Sequence, residues 1–189
     1  MYRSSPKGEA PFIPFIGRVR NMLKTFYPDK YYNSTYEIDF EAYYNEGYRG
    51  VIFDIDNTLV PHGAPADERS LQLFERLRSI GYETLLLSNN KKERVDMFNE
   101  KVQTNTIFKA GKPGIKNYVK AMEIMNTTKE TTLFVGDQLF TDVWGAKRTG
   151  ILSILVKPMN PKEEIQIVIK RRLEWIVLFF YKRYIRKQK

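Results

Sequence analysis

Asp54 and Asp56 stand two residues apart at the end of the apolar run Gly50-Val-Ile-Phe. Asp137 and Asp142 follow a second such run, Thr131-Thr-Leu-Phe-Val, by way of Gly136. Between the pairs lie Ser88, directly after Thr84-Leu-Leu-Leu, and Lys112, just beyond the short segment Thr106-Ile-Phe-Lys109. Singly, each is explained as well by a turn or a helix cap as by chemistry. In order, each at the end of a short apolar run, they form a complementary set of carboxylates, a hydroxyl and an ammonium.

That set suits displacement at the phosphorus of a phosphate monoester. A carboxylate nucleophile splits one difficult step into two by way of an aspartyl-phosphate. A second carboxylate two residues on can protonate the leaving oxygen and then activate water. A hydroxyl and a lysine can hold the phosphoryl oxygens, over which charge spreads in the transition state. A site rich in carboxylate oxygens suits Mg²⁺, a hard cation, acting as Lewis acid and template.

These residues need a scaffold that brings several strand ends together. The pattern supplies one. Strands are predicted at Gly50–Asp54, Thr84–Leu87, Thr106–Lys109, Thr131–Val135 and Ile151–Val156. Helices are predicted between them at 66–80, 91–101, 115–125 and 141–149, the first carrying the stripe Leu71, Leu73, Phe74, Leu77 and Ile80 and ending at Gly81. Five strands alternating with four helices imply an α/β fold: an open parallel Rossmann-like sheet with helices on both faces. Ligands bind such sheets beyond the carboxyl ends of the strands, where the six polar residues fall. Before this unit, Pro6, Pro11 and Pro14 mark an extended start, Val19 to Phe26 reads as a short helix, and Asp39 to Glu46 as another. From Pro161 the pattern becomes one long basic, apolar helix.

The composition narrows the classes further. With 189 residues and 42% hydrophobic, the chain has the length of one domain with a sizeable core. It has no cysteine, which excludes disulfides and thiolate metal sites. A single histidine, His62, excludes a histidine-rich metal site and is given no role. No apolar run approaches the roughly 20 residues of a membrane span, and no signal peptide is evident, the early cluster Phe12 to Ile16 being broken by Pro14. The net charge of +9 is concentrated at the ends. Residues 1–30 hold six Lys/Arg against two acids, and residues 162–189 hold nine against three, so the middle is close to neutral. Basic ends attract a polyanion, either nucleic acid or an anionic membrane.

The motifs resemble those of the haloacid dehalogenase-like (HAD) superfamily. Asp54-Ile-Asp56-Asn-Thr58 is similar to its first signature, Ser88 to its second, Lys112 to its third, and Gly136-Asp137-Gln-Leu-Phe-Thr-Asp142 to its fourth. The resemblance implies Asp54 as nucleophile and metal ligand. It implies Asp56 as general acid/base, with its backbone carbonyl on the metal. Thr58 would support the motif loop at the phosphate. Ser88 and Lys112 would bind phosphate with a backbone donor at Asn89. Asp137 would be a metal ligand, Asp142 a supporting carboxylate either behind the metal ligands or near Lys112, and Mg²⁺ the cofactor. The finer segments Tyr27-Pro-Asp-Lys-Tyr-Tyr, Ser88-Asn-Asn, Arg94-Val and Arg148-Thr-Gly resemble the YqeG-type HAD-IIIA phosphatases, which are similar to mitochondrial phosphatidylglycerophosphatases. That relation implies conversion of phosphatidylglycerophosphate to phosphatidylglycerol, on a cytoplasmic protein held peripherally at the inner face of the membrane. Arg94 and Arg148 are candidate headgroup contacts.

The expected organisation is an N-terminal basic, aromatic segment (1–46), a phosphatase core (47–160) and a basic amphipathic C-terminal helix (161–189). The 30 positions from Thr58 to Ser88 and the 24 from Ser88 to Lys112 leave no room for a folded cap domain. The site is therefore expected to be open, with selectivity supplied elsewhere. The helix Lys170–Lys189 places Trp175, Phe179, Phe180 and Tyr181 between cationic clusters, the composition of an interfacial helix. The opposing expectation is that Ile165, Ile169, Leu173, Ile176 and Phe180 dock on the protein. Partners are thus a phosphate ester and an anionic phospholipid surface, with no nucleic acid. The alternatives are a soluble phosphatase of a metabolite, nucleotide or phosphoprotein, and a non-catalytic RNA- or ribosome-binding module.

Overall fold

The computed structural model describes residues 23–160 and 165–186, with side chains from residue 172 onward in the second stretch. Expectations for residues 1–22 and for the side chains of Ile165 and Ile169 lie outside the described residues. Six strands form one all-parallel sheet: β1 (Lys30–Tyr32), β2 (Gly50–Phe53), β3 (Glu83–Leu87), β4 (Asn105–Ile107), β5 (Thr132–Gly136) and β6 (Leu152–Val156). Their order in space is β1-β6-β5-β2-β3-β4. The helices are α1 (Phe40–Asn45), α2 (Glu68–Ile80), α3 (Lys92–Val102), α4 (Lys116–Met125), α5 (Trp144–Thr149) and α6 (Ile165–Ile185).

Alternation along the strands explains the layering. Val51 and Phe53 of β2 point to one face, where they meet Phe74 and Leu77 of α2 and Val95 and Phe98 of α3. Ile52 between them points to the other face, into a cluster with Leu85, Leu87, Phe134, Tyr118 of α4 and Ala146 of α5. A sheet buried on both faces reads as continuous apolar runs, the signal by which five strands are found from sequence. The sixth, β1, escapes that signal. It is a three-residue edge strand with Lys30 exposed and two half-buried tyrosines, paired only to β6. Residues ahead of position 47 thus contribute both an edge strand and core side chains, notably Ile38, Phe40 and Tyr43.

Local chemistry fixes the helix ends. Asp67 caps α2 by accepting from the Ser70 N–H at 2.8 Å, and the Ser70 hydroxyl in turn accepts from the Asp67 N–H at 2.9 Å. Gly81 closes α2 at φ 105°, where an added Cβ would come within 2.8 Å of the Tyr44 hydroxyl. The predicted helix 141–149 is in fact two pieces. Leu139–Val143 form one wide π-type turn, and α5 follows directly.

The last helix packs through a third cluster. Val177 and Tyr181 of α6 lie against Tyr27, Leu139, Val143 and Leu155. Leu173 and Ile176, expected on a docking face, are instead exposed, at 53% and 45%. Their place is taken by Glu174, buried at 4%. Strands β2, β3 and β4 progress to one side of the sheet, and β5 and β6 to the other. The direction reverses between β2 and β5, which is where an open α/β sheet binds its ligand.

Candidate active site

Asp54 follows β2 and Asp137 follows β5, so the two straddle that reversal point. The Asp54 N–H continues the ladder by donating to Val135 O at 2.9 Å. The chain then turns tightly, the Leu59 N–H donating to Ile55 O at 2.9 Å and the Asn57 N–H to Val60 O at 2.8 Å. Asn57 takes a left-handed conformation (φ 61°), which asparagine tolerates better than most residues. Two side chains from the segment before β2 pin this turn. Thr35 Oγ1 donates to Thr58 O at 2.7 Å, and the Tyr36 hydroxyl donates to Leu59 O at 2.6 Å.

Lys112 Nζ lies 2.5 Å from Asp54 Oδ1 and 2.7 Å from Asp142 Oδ1, all three side chains being buried. Burial would strip the lysine of its proton, but the Asp142 and Asp54 carboxylates outweigh it and raise its pKa. Burial pushes Asp54 up to about 6, with Lys112 pulling against it and Asp142 adding to it. Thr58 Oγ1 donates to the other Asp54 oxygen across a long 3.4 Å. Asp142 bridges the lysine and its own loop. Its Oδ1 faces Lys112, and its Oδ2 accepts the Gln138 N–H at 3.1 Å. Its backbone is held by Tyr118, whose buried hydroxyl lies 3.1 Å from Thr141 O and 3.3 Å from Asp142 O.

Ser88 is buried at the end of β3, and its Oγ accepts the Asn90 N–H at 3.2 Å. Asn89 links this loop to the lysine. Its Oδ1 accepts the Lys112 N–H at 2.7 Å and its Nδ2 donates to Lys112 O at 3.2 Å. The Asn89 side chain therefore sets the lysine backbone, a task separate from the backbone donor role expected of it. The Asp56 carboxylate accepts from the Gly63 N–H, Asn90 Nδ2 and Arg94. Arg94, expected at a headgroup, is instead largely buried and bound to Asp56. Arg148 is exposed, with its guanidinium over the Trp144 ring and a hydrogen bond to Pro113 O.

A carboxylate oxygen from each of Asp54, Asp137 and Asp142 lies within 4.8 Å of the other two. This is an all-oxygen, buried donor set, and it fits a hard divalent cation. Asp54 and Asp137, just beyond the two strands that flank the reversal point, are the pair that would hold it, with Asp142 engaged by Lys112 and the Gln138 N–H. When bound, such a cation supplies charge neutralisation and orientation to a phosphoryl group.

Sequence reasoning missed four contributors. Asn90 stands in the quoted Ser88-Asn-Asn segment but had no role. Tyr118 lies inside an ordinary helical stripe and carries no sign of its buttressing. Gly136 gives a legible signal, glycine directly before a key aspartate. An added Cβ there would lie 2.5 Å from Asp142 Oδ2. Glu174, the one acid from 170 to 189, accepts the Leu139 N–H at 2.7 Å.

Between Thr58 and Lys112 the chain forms only α2, β3, α3, β4 and their loops, so no cap covers the carboxyl face from this stretch. Comparison with known proteins agrees with this architecture. A family model described as "HAD-hyrolase-like" matches residues 109–163. A solved structure of an uncharacterized protein from Listeria monocytogenes serotype 4b shares the fold, with TM-score 0.50 and 16% identity over 62% of this chain and 84% of that one. The probable phosphatase YqeG of Bacillus subtilis is 35% identical over 164 residues, 86% of this chain and 95% of that protein. The phosphatidylglycerophosphate phosphatase 1, chloroplastic/mitochondrial, of Arabidopsis thaliana is 29% identical over 161 residues, 79% of this chain but 45% of that protein. An all-parallel sheet with this constellation at its reversal point is that of a HAD-type phosphatase. Within that class, the chain belongs to the YqeG-type family.

Proposed function

We propose that this phosphatase is Mg²⁺-dependent, works through an aspartyl-phosphate on Asp54, and removes the terminal phosphate of phosphatidylglycerophosphate at an anionic membrane surface. In the first step an Asp54 oxygen bonds to phosphorus and the ester P–O bond breaks. The leaving oxygen takes a proton from Asp56. In the second step water attacks the same phosphorus and gives its proton to Asp56, and the Asp54–phosphorus bond breaks to release inorganic phosphate. Lys112 and Ser88 hold phosphoryl oxygens throughout, Asn89 and Asp142 fix the lysine, and Asp137 with Asp54 holds the cation.

The observation that carries the lipid half of this reading is the outward face of α6. Leu173, Trp175, Ile176 and Phe179 are exposed there, Trp175 reaching 69%, and the rings of Trp175 and Phe179 stack at 6.1 Å. Exposed Arg172, Lys182, Arg183 and Arg186 surround them. An apolar, cationic face without acids suits the headgroup region of an anionic bilayer. Among the described residues no helix is long and apolar enough to cross a membrane, so the contact proposed is peripheral, on the cytoplasmic leaflet. The relationship to a phosphatidylglycerophosphate phosphatase supports the same substrate.

The test is phosphate release, with Mg²⁺, from phosphatidylglycerophosphate in anionic vesicles beside soluble sugar, nucleotide and peptide phosphates. Preferred turnover of the lipid is expected. No turnover of the lipid alongside rapid turnover of a soluble ester would overturn the lipid assignment and leave a soluble phosphatase.

A further inference from the structure

Asp56 is enclosed by donors from two separate stretches of chain, residues 62–63 and 90–94. Its Oδ1 accepts the Gly63 N–H at 2.7 Å, Arg94 Nη2 at 2.9 Å and Arg94 Nε at 3.2 Å. Its Oδ2 accepts Asn90 Nδ2 at 2.6 Å. His62 Nδ1, on an exposed side chain, is 3.7 Å from Oδ1. The Arg94 side chain is only 14% exposed, and its Nη1 is buried without a hydrogen-bond partner.

Burying a guanidinium to this depth is costly, and hydrophobic side chains of similar volume serve stability at least as well. The arrangement is better explained by what it does to the carboxylate. An aspartate at the mouth of an open site would sample several rotamers. Here one oxygen is gripped side-on by a planar fork, whose geometry is rigid, and the other by an amide. Asn90 is itself fixed. Its N–H donates to Ser88 Oγ at 3.2 Å, and its carbonyl accepts the Lys109 N–H at 2.8 Å. The same short loop therefore sets the phosphate-binding hydroxyl and the orientation of Asp56. Arg94 stands in the first turn of α3, directly beyond that loop.

We infer that Asn90 and Arg94 are positioning residues that hold the Asp56 carboxyl where it meets the ester oxygen, so that they act on the proton-transfer step and not on phosphate binding. This rests on the proposed roles of Asp54 and Asp56. Neither residue touches the reacting atoms in this account. Both act through Asp56.

Two aryl esters isolate the effect. Phenolate is a poor leaving group that needs a proton as the P–O bond breaks, whereas 4-nitrophenolate leaves with little help. The value of kcat/KM reports the steps up to that cleavage and is blind to later hydrolysis of the phosphoenzyme. The readout is therefore the ratio of kcat/KM for 4-nitrophenyl phosphate to that for phenyl phosphate, with saturating Mg²⁺, in wild type, Asp56→Asn, Asn90→Ala, Arg94→Gln and Arg94→Lys. General acid catalysis contributes typically 10²–10⁴-fold, so the ratio should rise about tenfold or more in Asn90→Ala and Arg94→Gln. It should rise further in Asp56→Asn and partly recover in Arg94→Lys, which keeps a cationic donor. A fold defect lowers both substrates together and leaves the ratio unchanged. If Asp56→Asn raises the ratio and Asn90→Ala and Arg94→Gln do not, the positioning role is overturned while the catalytic reading stands. If Asp56→Asn also leaves the ratio unchanged, Asp56 is not the acid and both readings fall.

Discussion

Gly136→Ala adds one methyl group where β5 passes closest to Asp142. The added Cβ would lie 2.5 Å from Asp142 Oδ2 and 2.7 Å from both its Cβ and its Cγ, all well inside contact distance. Backbone on one side and a short side chain on the other leave little to yield. Asp142 is held by Lys112 at 2.7 Å and by the Gln138 N–H at 3.1 Å. Relief thus requires either breaking the lysine contact or shifting the loop that carries Asp137. Overpacking of this kind costs about 1–3 kcal/mol, which for a chain of this size lowers Tm by roughly 2–12 °C. The catalytic effect should be larger in proportion, because a displacement of about 1 Å in a positioned group can cost about 100-fold in rate. Thermal melts and kcat/KM for 4-nitrophenyl phosphate, measured well below the variant's Tm, separate the two effects. A Gly136→Ala protein with wild-type Tm and wild-type kcat/KM would refute the argument that Asp142 and the lysine are fixed by this approach.

Asp54→Asn should abolish turnover of every phosphate ester while leaving the far-ultraviolet circular dichroism intact; retained turnover would remove it as the nucleophile. Glu174→Ala leaves the buried Leu139 N–H without its 2.7 Å acceptor and should cost roughly 1–3 kcal/mol by urea unfolding. Trp175→Ser with Phe179→Ser should weaken sedimentation with anionic vesicles and leave 4-nitrophenyl phosphate turnover unchanged; undiminished binding would deny α6 its role. For Asp29, burial raises the pKa, but hydrogen bonds from Lys147 and from the Ser153 N–H and hydroxyl outweigh it and hold the carboxyl below its ordinary value. A depressed folded-state pKa contributes stability that is present above the unfolded pKa of about 3.9 and is lost as pH falls through the folded value. The stability gap between wild type and Asp29→Asn, measured by urea unfolding from pH 7 downward, should therefore close in acid. A constant gap would rule that linkage out.

The parts of this structure legible in the sequence are those with strong local signals. Strands buried on both faces show as apolar runs, as at Val51 to Phe53 and Leu133 to Val135. A polar residue at or just beyond the end of each run marks the carboxyl edge, and so directs Asp54, Ser88, Lys112 and Asp137 to one edge of the sheet. What was not legible depends on long-range partners. Strand β1 exists because β6 offers it an edge, since three residues with an exposed lysine have no apolar pattern of their own. The attachment of Arg94 to Asp56 spans 38 positions, and nothing in its helix distinguishes it from a solvated arginine. The wide turn at Leu139–Val143 likewise answers to the Leu139 N–H meeting Glu174 from 35 positions away.

Glu174 ties the C-terminal helix to the chemistry in a way composition alone conceals. A basic, aromatic helix could face the protein with any of several stripes. A carboxylate tolerates burial only with donors to receive it, and the Leu139 N–H, opening the turn that leads to Asp142, provides one. At 100° per residue, directing Glu174, Val177 and Tyr181 inward sends Arg172, Trp175, Ile176, Phe179 and Arg183 outward. One buried acid thereby sets the rotation of the helix. The same contact anchors α6 beside the carboxyl ends of the strands, while Tyr181 and Tyr184, farther along it, meet Tyr27 just before β1. The helix therefore runs back along the sheet from the catalytic edge. A surface met along its outward face would therefore lie alongside the sheet, on the side away from Glu174, Val177 and Tyr181.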